Sequence, residues 1–410
     1  MDFLRKNRWN VVLIFFLETL FLSACHEKEP TATHQAGNRY VVVLSMDGFR
    51  WDYPDLFDTP VLDSVEKEGV RAEMVPVFPS KTFVNHYSLA TGLYADNHGL
   101  VLNNFYAPDL NRYYHMKKDA GDGAFYGGEP IWVTAEKQGV KAATLFWVGS
   151  EAEIKGKRPS YWYKYQQSLP FEARIDQVER WLKLPLDKRP NLIMWYYHEP
   201  DAVGHHHGPE SVETQQKVEL LDQWLGKFFT RMKTLPVYDS IDFIFLSDHG
   251  MASLSPERQI ILDEYVDTSL LVFRDGGNPV YNFKVKEGYL QQVYDTLDKV
   301  EHLQVWKHGH LPERFHYGNN PRTHDLTLVA EPGWSAYWSW DRKSNKGTHG
   351  YDNAYRAMHA IFYAVGPDFK KGYRQPVFNN VDVYELIARL LDLDPASNDG
   401  DFNEIKGMLK

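Results

Sequence analysis

"RYVVVLSMDGF" (Arg39–Phe49) is the stretch on which the fold turns. Its apolar run has no alternation, so it leaves no face of a strand for water. That is the pattern of a central parallel strand buried on both sides. The run stops at Asp47-Gly48. The same design recurs in "KAATLFWVGS" (Lys141–Ser150), "RPNLIMWYYHEPD" (Arg189–Asp201) and "IDFIFLSDHG" (Ile241–Gly250), each an apolar run followed by polar residues. Between them lie "PIWVTAEKQG", "FEARIDQVERWLKL" and "SVETQQKVELLDQWLGKFFTRMKTL", with apolar residues spaced by three and four as in amphipathic helices. Strands alternating with helices predict an α/β chain with a mainly parallel sheet covered on both faces. In such sheets ligands bind at the carboxyl ends of the strands. Asp47, Asp201 and Asp248 all fall at predicted strand ends.

Residues from about 280 to 330 read as strand, helix, strand, a small α+β excursion from the main sheet. "HAIFYAVG" (His359–Gly366) returns to an apolar strand, and "VDVYELIARLLDL" is the final helix. The 410 residues are 43% hydrophobic, enough to build a full core. A net charge of −10 with no basic run disfavours duplex nucleic acid as a partner. A small phosphorylated substrate remains compatible with it.

"FPSKTFVNHYSLATGL" (Phe78–Leu93) raises the catalytic question. Asn85–Leu93 reads as a helix, and Thr82 falls at the loop–helix junction, where unpaired N–H groups and the positive end of the helix dipole attract anions. A threonine there is either an N-cap or a nucleophile. Elsewhere, Asp201 and His205 are four residues apart, on one helical face or in one tight loop. Asp248-His249 ends a strand, and His349 lies in the Gly-flanked loop "KGTHGYDN". Taken singly, these residues also read as turn chemistry or solvated loops. Together, three carboxylates and three imidazoles suit two divalent cations such as zinc.

"MDGFRWDY", "TPVLDSVEKEGV", "VFPSKTFVNHYSLATGLYADNHGLVLNNFY", "EPIWVTAEKQGVKAATLFWVGSE", "YHEPDAVGHHHGPES", "LSDHGM" and "THGYDN" resemble the nucleotide pyrophosphatase/phosphodiesterase family of the alkaline phosphatase superfamily. The resemblance runs in order from about residue 40 to the C-terminus. It implies an alkaline-phosphatase-like α/β/α sandwich carrying two zinc ions. One would be held by Asp201, His205 and His349. The other would be held by Asp47, Asp248 and His249, with Thr82 facing it as nucleophile and ligand. Asn103 matches the position that hydrogen-bonds a non-bridging phosphate oxygen, with Asn104 as the second choice. Phe83, Tyr165 and Tyr196 match aromatic positions around a nucleobase. The implied reaction is hydrolysis of nucleotide phosphodiester and pyrophosphate bonds through a phospho-Thr82 ester, releasing nucleoside 5′-monophosphates. Two alternatives stand beside it: a lysophospholipid or choline-phosphodiester phosphodiesterase of the same family, and a lipid-anchored binding protein without catalysis. "PSKTF" is not the formylglycine motif of a sulfatase.

The N-terminus reads as an export signal. Arg5, Lys6 and Arg8 precede the short apolar run Val11–Leu22, which Glu18 interrupts, and "LSAC" follows. "LSAC" resembles a bacterial lipobox. Residues 1–24 are then a lipoprotein signal peptide, residues 25–38 a flexible tether, and residues 39–410 the catalytic domain. Cys25, the one cysteine of the chain, is the expected lipid attachment point. The expected product is an exported, membrane-anchored lipoprotein facing the periplasm or the cell surface. Cys25→Ser is expected to abolish metabolic labelling with a radioactive fatty acid and to move the protein out of the membrane fraction. Undiminished labelling would show that the lipobox assignment is wrong.

Overall fold

The computed structural model describes residues 39–410. The predicted signal peptide, Cys25 and the tether lie outside the described residues. The opening run forms the strand Tyr40–Met46, and every one of its residues is buried. Its side chains alternate between two cores, as a pleated strand must. Val41 and Val43 join one apolar cluster with the helices Thr82–Thr91, Ile131–Lys137 and Asp382–Leu390. Tyr40, Val42, Leu44 and Met46 join the other with the helices Pro60–Glu68, Phe171–Leu182 and Val212–Met232. Two helical layers therefore sandwich the sheet.

The main sheet has nine strands. From one edge it runs Tyr373–Arg374, Val70–Val75, Ala360–Val365, Ile241–Leu246, Tyr40–Met46, Leu192–Tyr197, Ala142–Leu145 and Tyr161–Tyr163, with Phe378–Asn379 also pairing to Val70–Val75. Tyr40–Met46 is parallel to both of its neighbours. The strand Ala360–Val365, read from "HAIFYAVG", runs antiparallel to both of its own. Continuous hydrophobicity reports burial on two faces and is silent about direction. No described helix is long and apolar enough to cross a membrane.

Register is what builds the site. Ser45 lies opposite Tyr196 on one side and Leu246 on the other. The residues that follow all three strands therefore emerge along one edge. The α+β excursion is a four-stranded antiparallel sheet in the order Leu271–Gly277, Val280–Val285, Leu326–Ala330, Leu303–Lys307, with the helix Leu290–Leu297. It begins about ten residues earlier than the sequence indicated, because Leu271–Gly277 alternates buried and exposed positions and carries Arg274 and Asp275.

The helix expected over Asn85–Leu93 spans Thr82–Thr91. Asn85 reads as a boundary residue because asparagine competes with the backbone for hydrogen bonds. Here it does so from inside the helix. Its Oδ1 accepts from Val77 N–H at 2.8 Å, and its Nδ2 donates to the carbonyls of Pro79 and Lys81. Gly92, at φ 66°, closes the helix one residue before Leu93.

One buried carboxyl gives a stability test away from the site. Asp242, 1% exposed on a central strand, accepts from Asp368 N–H at 3.2 Å. Burial raises its pKa to about 7, against ~3.9 for an exposed aspartate. The fold thus favours the protonated form. Its contribution to stability is complete below about pH 4 and is lost as pH rises through about 7. Asp242→Asn mimics the protonated form. It is expected to be near neutral at about pH 4 and increasingly stabilising up to about pH 7, by ~4 kcal/mol at most, read from urea midpoints across that range.

Candidate metal centre and active site

Asp47 leaves the first strand with its N–H on Tyr197 O at 2.9 Å, and Asp201 N–H donates to Asp47 O at the same distance. The two aspartates are thus joined through backbone. Gly48 makes this approach possible. It sits at φ 68°, and a Cβ on it would lie 2.9 Å from both Cα and Cβ of Asp201. Asp201 opens the short helix Asp201–His207, which brings His205 round one turn to the same side. Asp248 and His249 follow Ile241–Leu246.

Two groups of potential ligand atoms result, each within 4.8 Å: Asp201, His205 and His349, and Asp47, Asp201 and His249. The first is the triad the sequence named. The second contains Asp47 and His249 of the expected triad together with Asp201, which lies within reach of both groups. Asp248 remains adjacent, with Oδ2 2.9 Å from His249 Nε2, while its Oδ1 accepts from Gly48 N–H and Ser247 Oγ. The groups abut, because the His249 and His349 rings stack at 3.6 Å between centroids.

The donor chemistry fits divalent cations. Each of the three imidazoles has Nδ1 against a backbone carbonyl: His205 on Gly347 O at 2.8 Å, His249 on Gly250 O at 2.9 Å, His349 on Ser80 O at 2.7 Å. A carbonyl can only accept, so Nδ1 carries the proton and Nε2 is free to ligate. Those Nε2 atoms face carboxylates: His205 and His349 stand 3.4 and 3.6 Å from Asp201 Oδ1, and His249 stands 3.5 Å from Asp47 Oδ1. Asp47 Oδ1, Asp201 Oδ1 and Asp248 Oδ2 are buried atoms with no hydrogen-bond partner. Lone pairs facing lone pairs in a largely buried site favour a cation between them.

The charges agree. Burial, then Asp248 and Asp201, push the Asp47 carboxyl well above its usual range. Burial also opposes ionisation of Asp248, but His249 and His86 beside it prevail and hold it well below. Burial and the neighbouring His249, Lys81 and His205 hold His349 well below the ordinary imidazole value.

Thr82 is the first residue of its helix, not the cap. Lys81, at φ −111° and ψ 146°, occupies the N-cap and makes no side-chain cap bond. Thr82 Oγ1 instead lies 3.2 Å from His249 Nε2. The capping explanation of this threonine therefore falls away. Asn103 Oδ1 accepts from Phe83 N–H at 3.1 Å, beside Thr82. Asn104 points its Oδ1 to Met116 N–H and lines a cavity of about 260 Å³ with Phe273 and Asp275, so Asn103 is the member of the pair at the site. Phe83 is half-buried, with its ring edge on Tyr114. Tyr165 is 43% exposed, with its ring 6.1 Å from that of Tyr196. Tyr196 itself is 9% exposed, and its hydroxyl donates to Asp47 Oδ2 at 2.6 Å. It therefore orients a carboxylate of the centre as well as bordering the aromatic pair.

Two residues escaped the sequence reading. Lys81 Nζ donates to Asn278 O at 2.7 Å and His349 O at 2.9 Å, and burial lowers its pKa to about 7. His86 lies one turn along from Thr82, with Nδ1 2.9 Å from Thr82 O and 3.4 Å from Asp248 Oδ2, and Nε2 2.8 Å from Ser45 Oγ. Its position four residues after Thr82 was the available signal.

The profile described as "Type I phosphodiesterase / nucleotide pyrophosphatase" matches residues 41–352. A venom phosphodiesterase of Crotalus durissus collilineatus is 38% identical over 387 residues, which is 90% of this chain and 46% of that one. The chain thus spans about half the length of the venom enzymes it matches. Human ectonucleotide pyrophosphatase/phosphodiesterase family member 5 is 34% identical over 399 residues, 96% of this chain and 83% of that one. The structure of murine ectonucleotide pyrophosphatase/phosphodiesterase 5, as an inactive threonine-to-alanine variant in complex with AMP, superposes with a TM-score of 0.88. It is 34% identical and covers 91% of this chain and all of that one.

The orphaned oxygens make a prediction independent of turnover. A divalent cation is expected to raise the unfolding temperature of chelator-stripped protein, by the equivalent of ~4 kcal/mol at a thousandfold excess over its dissociation constant. Asp201→Asn, which weakens both groups, is expected to remove most of that rise in a thermal scan. A full rise in Asp201→Asn would place the cation elsewhere.

Proposed function

The chain belongs to the type I phosphodiesterase/nucleotide pyrophosphatase family, and on that premise we propose that it hydrolyses nucleotide phosphodiester and pyrophosphate bonds, releasing nucleoside 5′-monophosphates. The observation that carries the proposal is Thr82. A hydroxyl at the first position of a helix turns away from capping and toward His249, beside the carboxylate cluster. The inactive threonine-to-alanine relative with AMP supports both the role and the substrate class.

In this reading two zinc ions, one toward Asp201, His205 and His349 and one toward Asp47, Asp248 and His249, supply Lewis-acid stabilisation of the attacking and leaving oxygens when bound. Thr82 Oγ1 attacks phosphorus in line with the leaving oxygen. The Oγ–P bond forms as the bond to the leaving group breaks. Water then cleaves the phospho-Thr82 ester and restores the hydroxyl. The β-branched side chain restricts χ1 and so fixes the aim of the oxygen. Asn103 spends its amide oxygen on Phe83 N–H, which leaves its NH₂ as the donor for a non-bridging phosphate oxygen. Phe83, Tyr165 and Tyr196 offer the base a stacking site worth ~1–3 kcal/mol. Export as a lipoprotein through Cys25 completes the proposal and rests on the sequence alone.

Thr82→Ala is expected to keep its fold and its metal content, about two zinc per chain as a dinuclear mechanism requires, while turnover of a thymidine 5′-monophosphate p-nitrophenyl ester falls by at least ~10³. Thr82→Ser is expected to be partly active, because it keeps the hydroxyl and loses only the stiffening methyl. Rapid acid quench of the wild type is expected to trap the thymidine 5′-monophosphoryl group on residue 82. An alanine variant with wild-type turnover would overturn the mechanism. Faster turnover of lysophosphatidylcholine than of any nucleotide would overturn the substrate class.

A further inference from the structure

Arg174 is placed against two physical preferences at once. It lies in the first turn of the helix Phe171–Leu182, where the dipole disfavours a cation, and it is 0% exposed. Among the described residues it has no carboxylate partner, and the ionisable groups that face it are Tyr165, Tyr196, Tyr197 and His198. A buried guanidinium without a counter-ion is costly unless hydrogen bonds replace its water. Here carbonyls replace it. Nε donates to Leu169 O at 3.0 Å, Nη2 to Gln167 O at 3.3 Å, and Nη1 to Tyr196 O. The rings of Phe146 and Tyr197 lie against the guanidinium, 4.9 and 4.8 Å from their centroids.

These contacts join two segments distant in sequence. Gln167 and Leu169 belong to the loop that carries Tyr165, and Tyr196 is at the end of a central strand. Phe146 adds a second mark. It holds φ 75°, an uncommon conformation for a bulky residue. Its ring stands edge-on to Tyr165 at 5.4 Å, besides facing Arg174. Strain of this kind persists only where the surroundings over-determine it.

We propose that Arg174 is a positioning residue for nucleotide selectivity: its planar fork ties the Tyr165 loop to the Tyr196 strand end, and so sets the aromatic pair that receives the base. The inference rests on the nucleotide reading above. Lysine keeps the charge but not the rigid fork.

The test uses Arg174→Lys, Tyr165→Ala, their double variant, and Phe146→Gly, which suits φ 75° and removes the ring. Two diesters are compared: the thymidine 5′-monophosphate p-nitrophenyl ester and bis(p-nitrophenyl) phosphate, which has no base. Arg174→Lys is expected to raise KM for the nucleotide about tenfold, the scale of one lost stacking contact. The change for bis(p-nitrophenyl) phosphate is expected to be several-fold smaller, and kcat for the nucleotide is expected to hold. Phe146→Gly is expected to shift KM in the same direction. In the double variant, Arg174→Lys is expected to add little to Tyr165→Ala, because one acts through the other. Equal losses on both substrates, or fully additive losses, would overturn the proposal. Hydrogen exchange reads the clamp without any substrate. Amides of residues 164–169 are expected to exchange at least tenfold faster in Arg174→Lys, and unchanged protection would overturn the clamp. A wild type that shows no preference for the nucleotide over bis(p-nitrophenyl) phosphate would instead end the nucleotide reading, with the exchange result still deciding the clamp.

Discussion

Repulsion between Asp47, Asp201 and Asp248 governs this end of the molecule. Their oxygens converge with the imidazoles of His205, His249 and His349 in a site where Asp47, Asp248, His249 and His349 are buried and Asp201 and His205 partly so. Like charges at such distances cannot all ionise in a low dielectric unless positive charge joins them. The opposite shifts of Asp47, driven up, and Asp248, held down, express that conflict within one cluster. A salt bridge from lysine would ease it, but Lys81, which feels Asp201, spends its ammonium on two backbone carbonyls. Metal cations would resolve it, and the imidazoles are already oriented for them by their carbonyl partners.

The fold supplies that convergence by register. Three adjacent strands end together, so the next few residues of each must share one edge. A one-residue slip would send Asp47 away from Tyr196 and break the bond from its hydroxyl. Burial of both sheet faces makes such a slip expensive, because Val41 and Val43 would exchange places with Tyr40, Val42 and Leu44 between cores of different shape. The apolar core is therefore the reason the carboxylates cannot move apart to relieve their repulsion.

Much of this is written locally. Unbroken apolar runs ending in Asp-Gly, His-Glu-Pro-Asp and Asp-His-Gly give the strands, their burial and the edge where the polar residues gather. Strand direction is not local, which is why Ala360–Val365 runs antiparallel without a mark in its sequence. Nor is the sharing of Asp201 between two ligand groups, which depends on the close approach at Gly48. Thr82 was legible as an anomaly, but its role as first helical residue was hidden by Asn85, whose side chain spans the preceding loop. His86 and Tyr196 look like core residues on composition. Their polar atoms gain meaning only when Ser45, Asp47 and Asp248 are brought beside them. Arg174 was invisible for the same reason, since a lone arginine in an amphipathic helix normally faces solvent.

The two halves of the site are held by different means, and this separates chemistry from selectivity. The carboxylates, imidazoles and Thr82 are fixed by strand ends, one helix terminus and the backbone bonds between them. The aromatic side is partly loop, and Tyr165 is substantially exposed. A loop residue can order a base only if something other than sheet register restrains it. In this chain that restraint is a fork of hydrogen bonds to three carbonyls from one buried guanidinium. On the proposed nucleotide reading, substitutions in the loop change which bases are accepted while Thr82 and the carboxylates stay in place. The converse does not hold. A shift of Asp47 would move Tyr196 with it, so changes at the metal centre propagate into the aromatic side through the hydroxyl that joins them.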